Sequence, residues 1–299
     1  MIGSHYAYFI GHNLASRLGF ARRPLLAGFK ITHRCNLRCR TCPYWRRPGD
    51  DIPYEKAMEV MQRLHDAGVR LLIFEGGEPF IWRDGDYRLE DLIVQAKRRF
   101  FSVGVTTNGL LPLETNADMV WVSIDGLRET HSLNRGPVFD KVIANIKASS
   151  HPKVFANITI NRFNVGEVPA LVRFLAGMEQ IKGITIQFFY PYEECEDLSV
   201  TKEQRIWVLR QLGQMKREGY PLLDSIPALR ALEHNTWRCH AWLMADAEPD
   251  GTITFGCYLK NRGEIDCQKC GFAAHVELSL AYDGNLPAIN AGRKVFGFR

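Results

Sequence analysis

The sequence predicts an α/β fold, a partial (β/α)6 barrel of the TIM type followed by a small C-terminal cysteine-rich module. Short apolar runs alternate with amphipathic segments from about residue 25 to about residue 218, a pattern typical of parallel strands covered by helices. Six apolar runs occur by about residue 190, too few for a closed eight-stranded barrel. After about residue 220 the alternation stops, and four of the eight cysteines follow.

The predicted elements follow one another in a regular order. Residues 5–20 predict an amphipathic helix, whose apolar face consists of Tyr6, Phe9, Ile10, Leu14 and Leu18. Strands are predicted at 25–32, 69–75, 101–107, 119–124, 153–160 and 183–190. Helices are predicted at 54–67, 89–99, 138–149, 167–178 and 201–218. Functional side chains are expected at the carboxyl ends of the strands, where sites of such folds lie.

Composition and length divide the chain and exclude several classes of protein. We expect an N-terminal amphipathic helix or lid at 1–27, the partial barrel at 28–220 and the cysteine-rich module at 221–299. With 46% hydrophobic and 24% charged residues, the chain has an ordinary globular composition. It lacks the run of roughly 18 apolar residues that a membrane-spanning helix needs and has no signal peptide, so a cytoplasmic location is expected. The net charge of +5 is mild, and no nucleic-acid partner is expected.

The strongest local signal is a group of three cysteines directly after the first predicted strand, Cys35-x3-Cys39-x2-Cys42. Three thiolates on one short loop can bind three irons of a cubane [4Fe–4S] cluster and leave the fourth iron open. The spacing alone is also compatible with a structural zinc loop whose fourth ligand is distant. The first cysteine group therefore predicts a metal site.

A second motif ends the next predicted strand and consists of Gly76, Gly77, Glu78 and Pro79. Glycines let the backbone approach a ligand closely, and a carboxylate beside such a backbone suits a ligand ammonium. In isolation the same residues are compatible with a simple turn. Together, the cysteine loop and this motif at consecutive strand ends resemble the radical S-adenosylmethionine (radical SAM) superfamily.

The resemblance implies a set of cofactors and the residues that bind them. Cys35, Cys39 and Cys42 would ligate a [4Fe–4S] cluster, and S-adenosylmethionine would chelate its open iron. The segment from Gly76 to Pro79 matches the motif that holds the methionyl amino group. Further strand-end residues that match cofactor-lining positions are Thr107, Asn108, Ser123 and Asp125, while Arg135 matches an arginine near the cofactor carboxylate. Thr41 stands where the family commonly has an aromatic residue, so Tyr44 or Trp45 is expected to contact the adenine instead.

The resemblance also implies the chemistry. The reduced cluster donates one electron to the sulfonium, which cleaves to methionine and a 5′-deoxyadenosyl radical that abstracts hydrogen or adds to a double bond. The electron would come from a donor such as ferredoxin or flavodoxin. The predicted enzyme modifies a small-molecule or lipid substrate, because only about 28 residues precede the first strand, too few for a leader-peptide-binding domain.

The C-terminal cysteines form a third motif, Cys239-x17-Cys257-x9-Cys267-x2-Cys270. Four cysteines complete the coordination of a second [4Fe–4S] cluster or of a structural zinc. Residues 250–257 resemble the turn-and-cysteine hairpin of the SPASM and twitch extensions, which hold auxiliary clusters. An auxiliary cluster with four protein ligands would transfer an electron or stabilise the fold.

Cys195 stands alone, just beyond the sixth predicted strand. It is a candidate catalytic residue, as a hydrogen donor or radical relay at the barrel mouth, and the alternative is a free loop thiol. The adjacent Glu193 and Glu194 are candidate acid/base groups, although loop glutamates are usually solvated.

Several functions remain open at this level. The substrate is expected to be a small molecule or an isoprenoid lipid, modified by hydrogen abstraction. Alternatives are addition of the adenosyl radical to an isoprenoid alkene, as in adenosylhopane synthase, and modification of a peptide or protein. A zinc-binding nucleic-acid module is the remote non-enzymatic alternative. Peripheral membrane contact through the N-terminal helix is a further expectation, since Arg17, Arg22 and Arg23 flank its apolar face.

Overall fold

The protein folds around one large sheet, seen in a computed structural model that describes residues 3–48, 51–191, 195–260 and 263–298. The strands are β1 (Leu26–Thr32), β2 (Leu71–Gly76), β3 (Arg83–Asp84), β4 (Tyr87–Arg88), β5 (Ser102–Thr107), β6 (Met119–Ser123), β7 (Val154–Ile160), β8 (Ile181–Phe188), β9 (Met244–Ala247) and β10 (Ile253–Phe255). The α-helices are α1 (Gly3–Arg17), α2 (Tyr54–Ala67), α3 (Leu89–Ala96), α4 (Arg128–Arg135), α5 (Phe139–Ala148), α6 (Val168–Ala176), α7 (Lys202–Arg217), α8 (Ile226–His234), α9 (Ala273–Tyr282) and α10 (Leu286–Phe296). The eight-stranded sheet has the order β10-β9-β1-β2-β5-β6-β7-β8, and β3 pairs with β4 separately.

The partial (β/α)6 barrel is confirmed. The six predicted strands are β1, β2, β5, β6, β7 and β8, which pair in parallel in that order. Their ends differ from the predicted ends by no more than two residues. The helices α2, α3, α5, α6 and α7 lie where amphipathic segments predicted them.

Helix boundaries follow from local chemistry. The Thr201 side chain accepts a hydrogen bond from the Gln204 backbone amide, and the Gln204 side chain accepts one from the Thr201 backbone amide, so a capping box begins α7. Gly68 ends α2 with φ of +117°, a conformation that glycine adopts without a side-chain penalty.

The segment after residue 220, where the predicted alternation stops, contributes regular structure. β9 pairs in parallel with β1, and β10 returns antiparallel to β9, so the sheet continues beyond the barrel. Both strands are short, at four and three residues, so their hydrophobic pattern is too short to predict them from the sequence. The helices α9 and α10 border the barrel interior with small side chains, which are Ala274, Ala281, Ala288, Ala291 and Gly292. The C-terminal segment thereby closes the side where the partial barrel has no strands.

Side chains alternate along each strand between the outer face and the barrel interior. On β1, Phe29 is fully buried with Leu64 of α2 in the outer core, whereas Gly28 and Lys30 line the interior. The strands begin with apolar side chains that form the interior floor, among them Leu26, Leu71, Met119 and Met244. Polar side chains follow toward the carboxyl ends, among them Ser123, Asn157, Thr159, Thr185 and Gln187. The interior is therefore apolar at one end and polar at the other.

The N-terminal helix covers the barrel floor. Tyr8 Oη donates to the carbonyl of Gly68 at 2.9 Å, and Asn13 Nδ2 donates to the carbonyl of Tyr282 at 2.8 Å. Phe9 packs against Leu26 at the start of β1. The expected lid thus lies at the end opposite the cysteine loop. Among the described helices, none is both long and apolar enough to cross a membrane.

Candidate active site

The predicted site residues converge on one cavity of about 440 Å³ at the carboxyl ends of the strands. The cysteine loop follows β1, the two glycines end β2, and the remaining residues end β5 and β6. Predicted residues that line the cavity are Cys35, Cys39, Cys42, Tyr44, Gly76, Gly77, Thr107, Asn108, Ser123 and Arg135. Glu78, Pro79 and Asp125 are buried behind this wall. The four strand ends that the motifs mark therefore form one continuous site.

The two glycines bring the end of β2 directly against the cysteine loop. Gly77 N donates to the carbonyl of Thr32 at 2.7 Å, and a Cβ on Gly77 would lie 2.0 Å from the carbonyl oxygen of Arg34. Gly76 has a φ of +138°, where any other residue is strained. Because no side chain fits at either position, the backbone itself faces the cavity. A ligand whose amino group binds to the backbone requires such a close approach.

The Glu78 carboxylate anchors the site from behind. It is fully buried, and Oε1 accepts from Thr107 Oγ1 at 2.8 Å while Oε2 accepts from Asn108 N at 2.8 Å. Burial raises its pKa to about 7. We expected the carboxylate beside a ligand ammonium; the structure places it against protein donors, and the adjoining glycine backbone takes the position at the cavity. Pro79 is buried at the start of the short 3-10 helix that follows.

Asp125 and Arg135 form a buried ion pair beside the cysteine loop. Asp125 Oδ2 accepts from Arg135 Nε and from Asn134 Nδ2, both at 2.6 Å, and Oδ1 accepts from Thr159 N at 3.1 Å. Burial lowers the pKa of Arg135, but its attraction to Asp125 and Cys39 outweighs this effect and the net shift is upward. Arg135 Nη1 lies 3.9 Å from Cys39 Sγ. A fixed positive charge therefore faces the predicted cluster site.

The end of α4 holds the cysteine loop in place through Asn134. Its backbone carbonyl accepts from Arg40 N at 2.9 Å, and its side-chain oxygen accepts from Thr41 N and Thr41 Oγ1 at 3.0 Å each. The departure from the family pattern at Thr41 thus has a structural role in this chain. Tyr44, expected to contact adenine, lines the cavity and shares a 2.8 Å hydrogen bond with the hydroxyl of Tyr258.

The three loop cysteines fit a negatively charged metal cluster. Cys35 Sγ accepts from Leu37 N at 3.4 Å and from Asn108 Nδ2 at 3.8 Å, contacts that also stabilise cluster sulfur and thiolate. Burial raises the pKa of all three thiols, that of Cys39 to about 11, so metal binding must displace protons. Within the described ranges, no three His, Cys, Asp or Glu side chains are grouped to hold a single metal ion.

Cys195 is buried away from the cavity. Its thiol donates to the carbonyl of Arg40 at 3.3 Å, and it packs with Phe189 and Leu198 in a small apolar cluster. Among the described residues that line the cavity, Cys195 is absent. This placement favours a role in anchoring the cysteine loop over the expected hydrogen donor at the mouth. Glu193 and Glu194 lie outside the described residues.

The four C-terminal cysteines lie near one another, and the last of them, Cys270, adjoins the carboxyl end of β8, where Phe188 N donates to the carbonyl of Gly271. Burial raises the pKa of Cys239 and Cys270, and the neighbouring thiols Cys257 and Cys267 add to the shift of Cys239. Two polar side chains fix the loop of the last pair: Arg205 Nη2 donates to the Cys270 carbonyl at 2.6 Å, and Asn235 Nδ2 to the Cys267 carbonyl at 2.9 Å. The spacing motif therefore corresponds to a spatial cluster.

A buried ionic cluster in the cavity wall was not predicted from the sequence. Lys30 Nζ donates to Glu75 Oε1 at 2.6 Å and to Asp246 Oδ1 at 3.0 Å, and it lies 4.6 Å from the centre of the Tyr258 ring. Gly28 leaves room for the Glu75 carboxylate, since a Cβ there would lie 2.7 Å from Oε1. The sequence feature that could have indicated this cluster is a lysine at an inward position of an otherwise apolar strand.

Comparison with known proteins identifies the family. Residues 29–175 match the model described as "Radical SAM superfamily". Residues 29–175 form a domain of the radical SAM superfamily. The Fe-coproporphyrin III synthase of Methanosarcina barkeri is 26% identical over 224 residues, covering 67% of this chain and 54% of that protein. The pre-heme d1 synthase of Dinoroseobacter shibae is 29% identical over 189 residues, covering 57% and 45%.

The fold agrees with this membership. The structure of Streptococcus suis SuiB bound to S-adenosylmethionine superposes with a TM-score of 0.64 at 14% identity, covering 94% of this chain and 71% of that one. Radical SAM membership implies an enzyme whose cofactors are S-adenosylmethionine and a [4Fe–4S] cluster. The chain spans about half the length of the curated relatives it matches.

We predict that Asp125→Asn destabilises the protein by about 3–5 kcal/mol, because it leaves the buried Arg135 guanidinium without its charge partner. The free energy of unfolding in urea measures the effect. Asp140→Asn is the matched control: Asp140 also pairs with an arginine, Arg128, but both side chains are 64% exposed, so its loss should stay below about 1 kcal/mol. Equal losses in the two variants would contradict the anchoring role.

Proposed function

We propose that this chain cleaves S-adenosylmethionine at a [4Fe–4S] cluster on Cys35, Cys39 and Cys42 and modifies a small-molecule or lipid substrate by hydrogen abstraction. The observation that carries the proposal is that the cysteine loop and the backbone of Gly76 and Gly77 lie together on one cavity wall. A structural zinc loop explains the cysteines but not this backbone. The family match likewise gives no support to a nucleic-acid module.

The chain's own residues bind and orient the cofactors in this proposal. When bound, the cluster and S-adenosylmethionine supply a 5′-deoxyadenosyl radical by reductive cleavage. The backbone at Gly76 and Gly77 receives the amino group, Arg135 attracts the carboxylate, and Asn108 donates to sulfur. Glu78 and Asp125 hold these groups rigidly from behind, which fixes the direction of attack.

The interior of the barrel supports a substrate with an apolar part. Its floor carries Trp121 and Leu223, and α9 and α10 close its open side with small side chains. A closed cavity also protects a reactive radical from solvent. Addition of the adenosyl radical to an isoprenoid alkene is the second candidate, favoured by the same apolar floor. A peptide or protein substrate is the third alternative.

We propose that Cys239, Cys257, Cys267 and Cys270 bind a second [4Fe–4S] cluster of the SPASM or twitch type. Tyr258, which follows Cys257, shares its hydrogen bond with Tyr44, two residues beyond Cys42. The two cysteine groups are thus linked by a pair of side chains. This arrangement supports a role in electron transfer or in holding the C-terminal segment against the barrel.

A small acidic electron donor in the cytoplasm, of the ferredoxin or flavodoxin kind, suits the outer surface of the cysteine loop. Arg38, Arg40 and Arg46 are exposed there, and each guanidinium lies over an aromatic ring, Trp45 or Phe163. Fixed positive charges next to a redox centre accelerate association with an acidic partner.

We predict that Cys39→Ala abolishes deoxyadenosine formation by the reconstituted protein with dithionite and S-adenosylmethionine, because one iron ligand is lost. Cys195→Ser is the matched control and should retain cleavage, since that thiol lies outside the cavity and a serine hydroxyl can still donate to the Arg40 carbonyl. Chromatographic quantification of deoxyadenosine measures both. Undiminished cleavage in Cys39→Ala would refute the cluster assignment.

We predict that the double variant Cys267→Ala and Cys270→Ala lowers the iron content from about eight to about four per chain, because one of two four-iron clusters is lost. Iron and sulfide analysis after anaerobic reconstitution measures this. Iron that stays unchanged in the variant rules out the auxiliary cluster, and zinc in the wild-type protein would reassign the site.

We also propose that α1 and the turn after it contact a membrane surface. Ile10, Leu14 and Leu18 are 60%, 54% and 71% exposed and lie four residues apart, so one apolar stripe faces outward. The first 49 residues contain no Asp or Glu, and the exposed Arg22 and Arg23 adjoin the stripe. An apolar stripe beside basic residues is typical of helices that bind anionic lipid headgroups.

We predict that the purified protein binds vesicles of phosphatidylglycerol and that Leu14→Glu with Leu18→Glu weakens this binding more than about tenfold, since two apolar side chains are lost from the lipid contact. Co-sedimentation measures the bound fraction. Leu133→Glu is the control, because Leu133 is a single exposed leucine on α4, 55% exposed. Absence of binding to vesicles, or an equal loss in the control, would disprove the contact.

A further inference from the structure

Two carboxyl groups, those of Asp224 and Glu277, lie in the cavity wall at the open side of the barrel. Asp224 is 5% exposed, and its Oδ2 accepts from Ile186 N of β8 at 3.0 Å. Glu277 projects from α9, and its Oε1 accepts from Ser225 N. Both residues line the same cavity as the cysteine loop. They are not part of the cofactor-binding wall formed by β1, β2, β5 and β6.

Two polar atoms of this wall have unused hydrogen-bonding capacity. Glu277 Oε2 and His275 Nε2 are buried and have no hydrogen-bond partner among the described residues. His275 is 4% exposed and also lines the cavity. A buried polar atom without a partner costs about 1–3 kcal/mol, and such atoms are rare in native proteins. Glu277 lies on the cavity face of α9, so a ligand in the cavity can complete Oε2, whereas His275, two residues away, lies on another side of the helix.

The charges around this wall favour a cationic ligand. Burial, and after it the charge of Asp224, raises the pKa of Glu277 to about 8; burial raises that of Asp224 to about 6 and lowers that of His275 to about 4. At pH 7 the carboxyl pair therefore holds about one proton and one negative charge, and His275 is neutral. The nearby cations are Lys216 of α7 and, beyond it, Lys294 of α10. Neither is among the described residues that line the cavity.

We propose that Glu277 and Asp224 form a subsite for a primary ammonium group of the substrate. The proposal rests on the proposed function in one respect, that the cavity holds the substrate. An ammonium group offers three donors, enough for Glu277 Oε2 and the Asp224 carboxylate. On binding, Glu277 releases its proton to solvent, and the ammonium charge compensates the second carboxylate that forms. A carboxylate or phosphate on the substrate would be repelled at this place.

The ionic cluster of Lys30, Glu75 and Asp246 does not compete for the same group. Lys30 already neutralises part of the charge of Glu75 and Asp246 and bonds to both. The cation that acts on Asp224 and Glu277 is Lys216, which lowers the pKa of both and is not among the described residues that line the cavity. The ammonium is therefore expected at the β8 and α9 side.

Calorimetric titration of the reconstituted full-length protein tests the subsite with n-hexylamine, n-hexanol and hexanoate as probes. We expect saturable binding of hexylamine alone and at least tenfold weaker binding in Glu277→Gln and in Asp224→Asn. The exposed Glu179 provides the matched control, and Glu179→Gln should bind like wild type. Circular dichroism shows whether each variant is folded.

The pH dependence gives a second readout that needs no variant. Below pH 8 the probe must displace the Glu277 proton, so affinity for hexylamine should rise up to about tenfold per pH unit as pH increases toward 8. Equal binding of hexanol or hexanoate, a flat pH profile, or unchanged affinity in Glu277→Gln would overturn the subsite. Cleavage of S-adenosylmethionine by wild type is measured separately, so a protein that binds the amine without cleaving the cofactor refutes the proposed function and leaves the subsite standing.

Discussion

The arrangement of the site depends on the buried carboxylate of Asp125. It joins the end of β6 to α4 through Arg135 and Asn134, and to β7 through the Thr159 amide. A buried ion pair contributes little net stability, because both charges lose their hydration. Its effect here is geometric. It keeps a positive charge beside Cys39 and places Asn134 where it can bond the backbone of the cysteine loop.

Much of the fold and of the cofactor site was predictable because both depend on short-range patterns. The six parallel strands are apolar, uninterrupted runs of sequence. The loop cysteines and the turn at Gly76 and Gly77 follow strands directly. The sites of Lys30, Asp246 and Glu277 were not predictable, because the contacts that form them join residues far apart in the sequence. Lys30 meets Asp246 across 216 residues of sequence. No local periodicity reports such a contact.

Cys195 and Glu78 show a different limit of sequence reasoning. The residue type suggested direct chemistry in both cases, a thiol donor at Cys195 and an ammonium ligand at Glu78, and for Glu78 the neighbouring glycines supported that interpretation. In the fold each one bonds backbone or side-chain groups of the protein, Arg40 in one case and Asn108 and Thr107 in the other. A reactive residue type next to a site can therefore act by positioning the groups that do the chemistry.

The C-terminal segment and the barrel form one structural unit. β9 extends the sheet at the β1 edge, and Asp246 on that strand completes the ionic contacts of Lys30. Without this strand the Lys30 ammonium would lose the Asp246 carboxylate inside an otherwise apolar strand, at the cost that an undercompensated buried charge carries. The hydrogen bond of Tyr258 to Tyr44 adds a contact next to both cysteine groups. The distance between the two cysteine groups is consequently set by the sheet and by this tyrosine pair. Loss of the C-terminal cysteines alone would leave the first cysteine loop in position. Loss of β9 would disturb that loop.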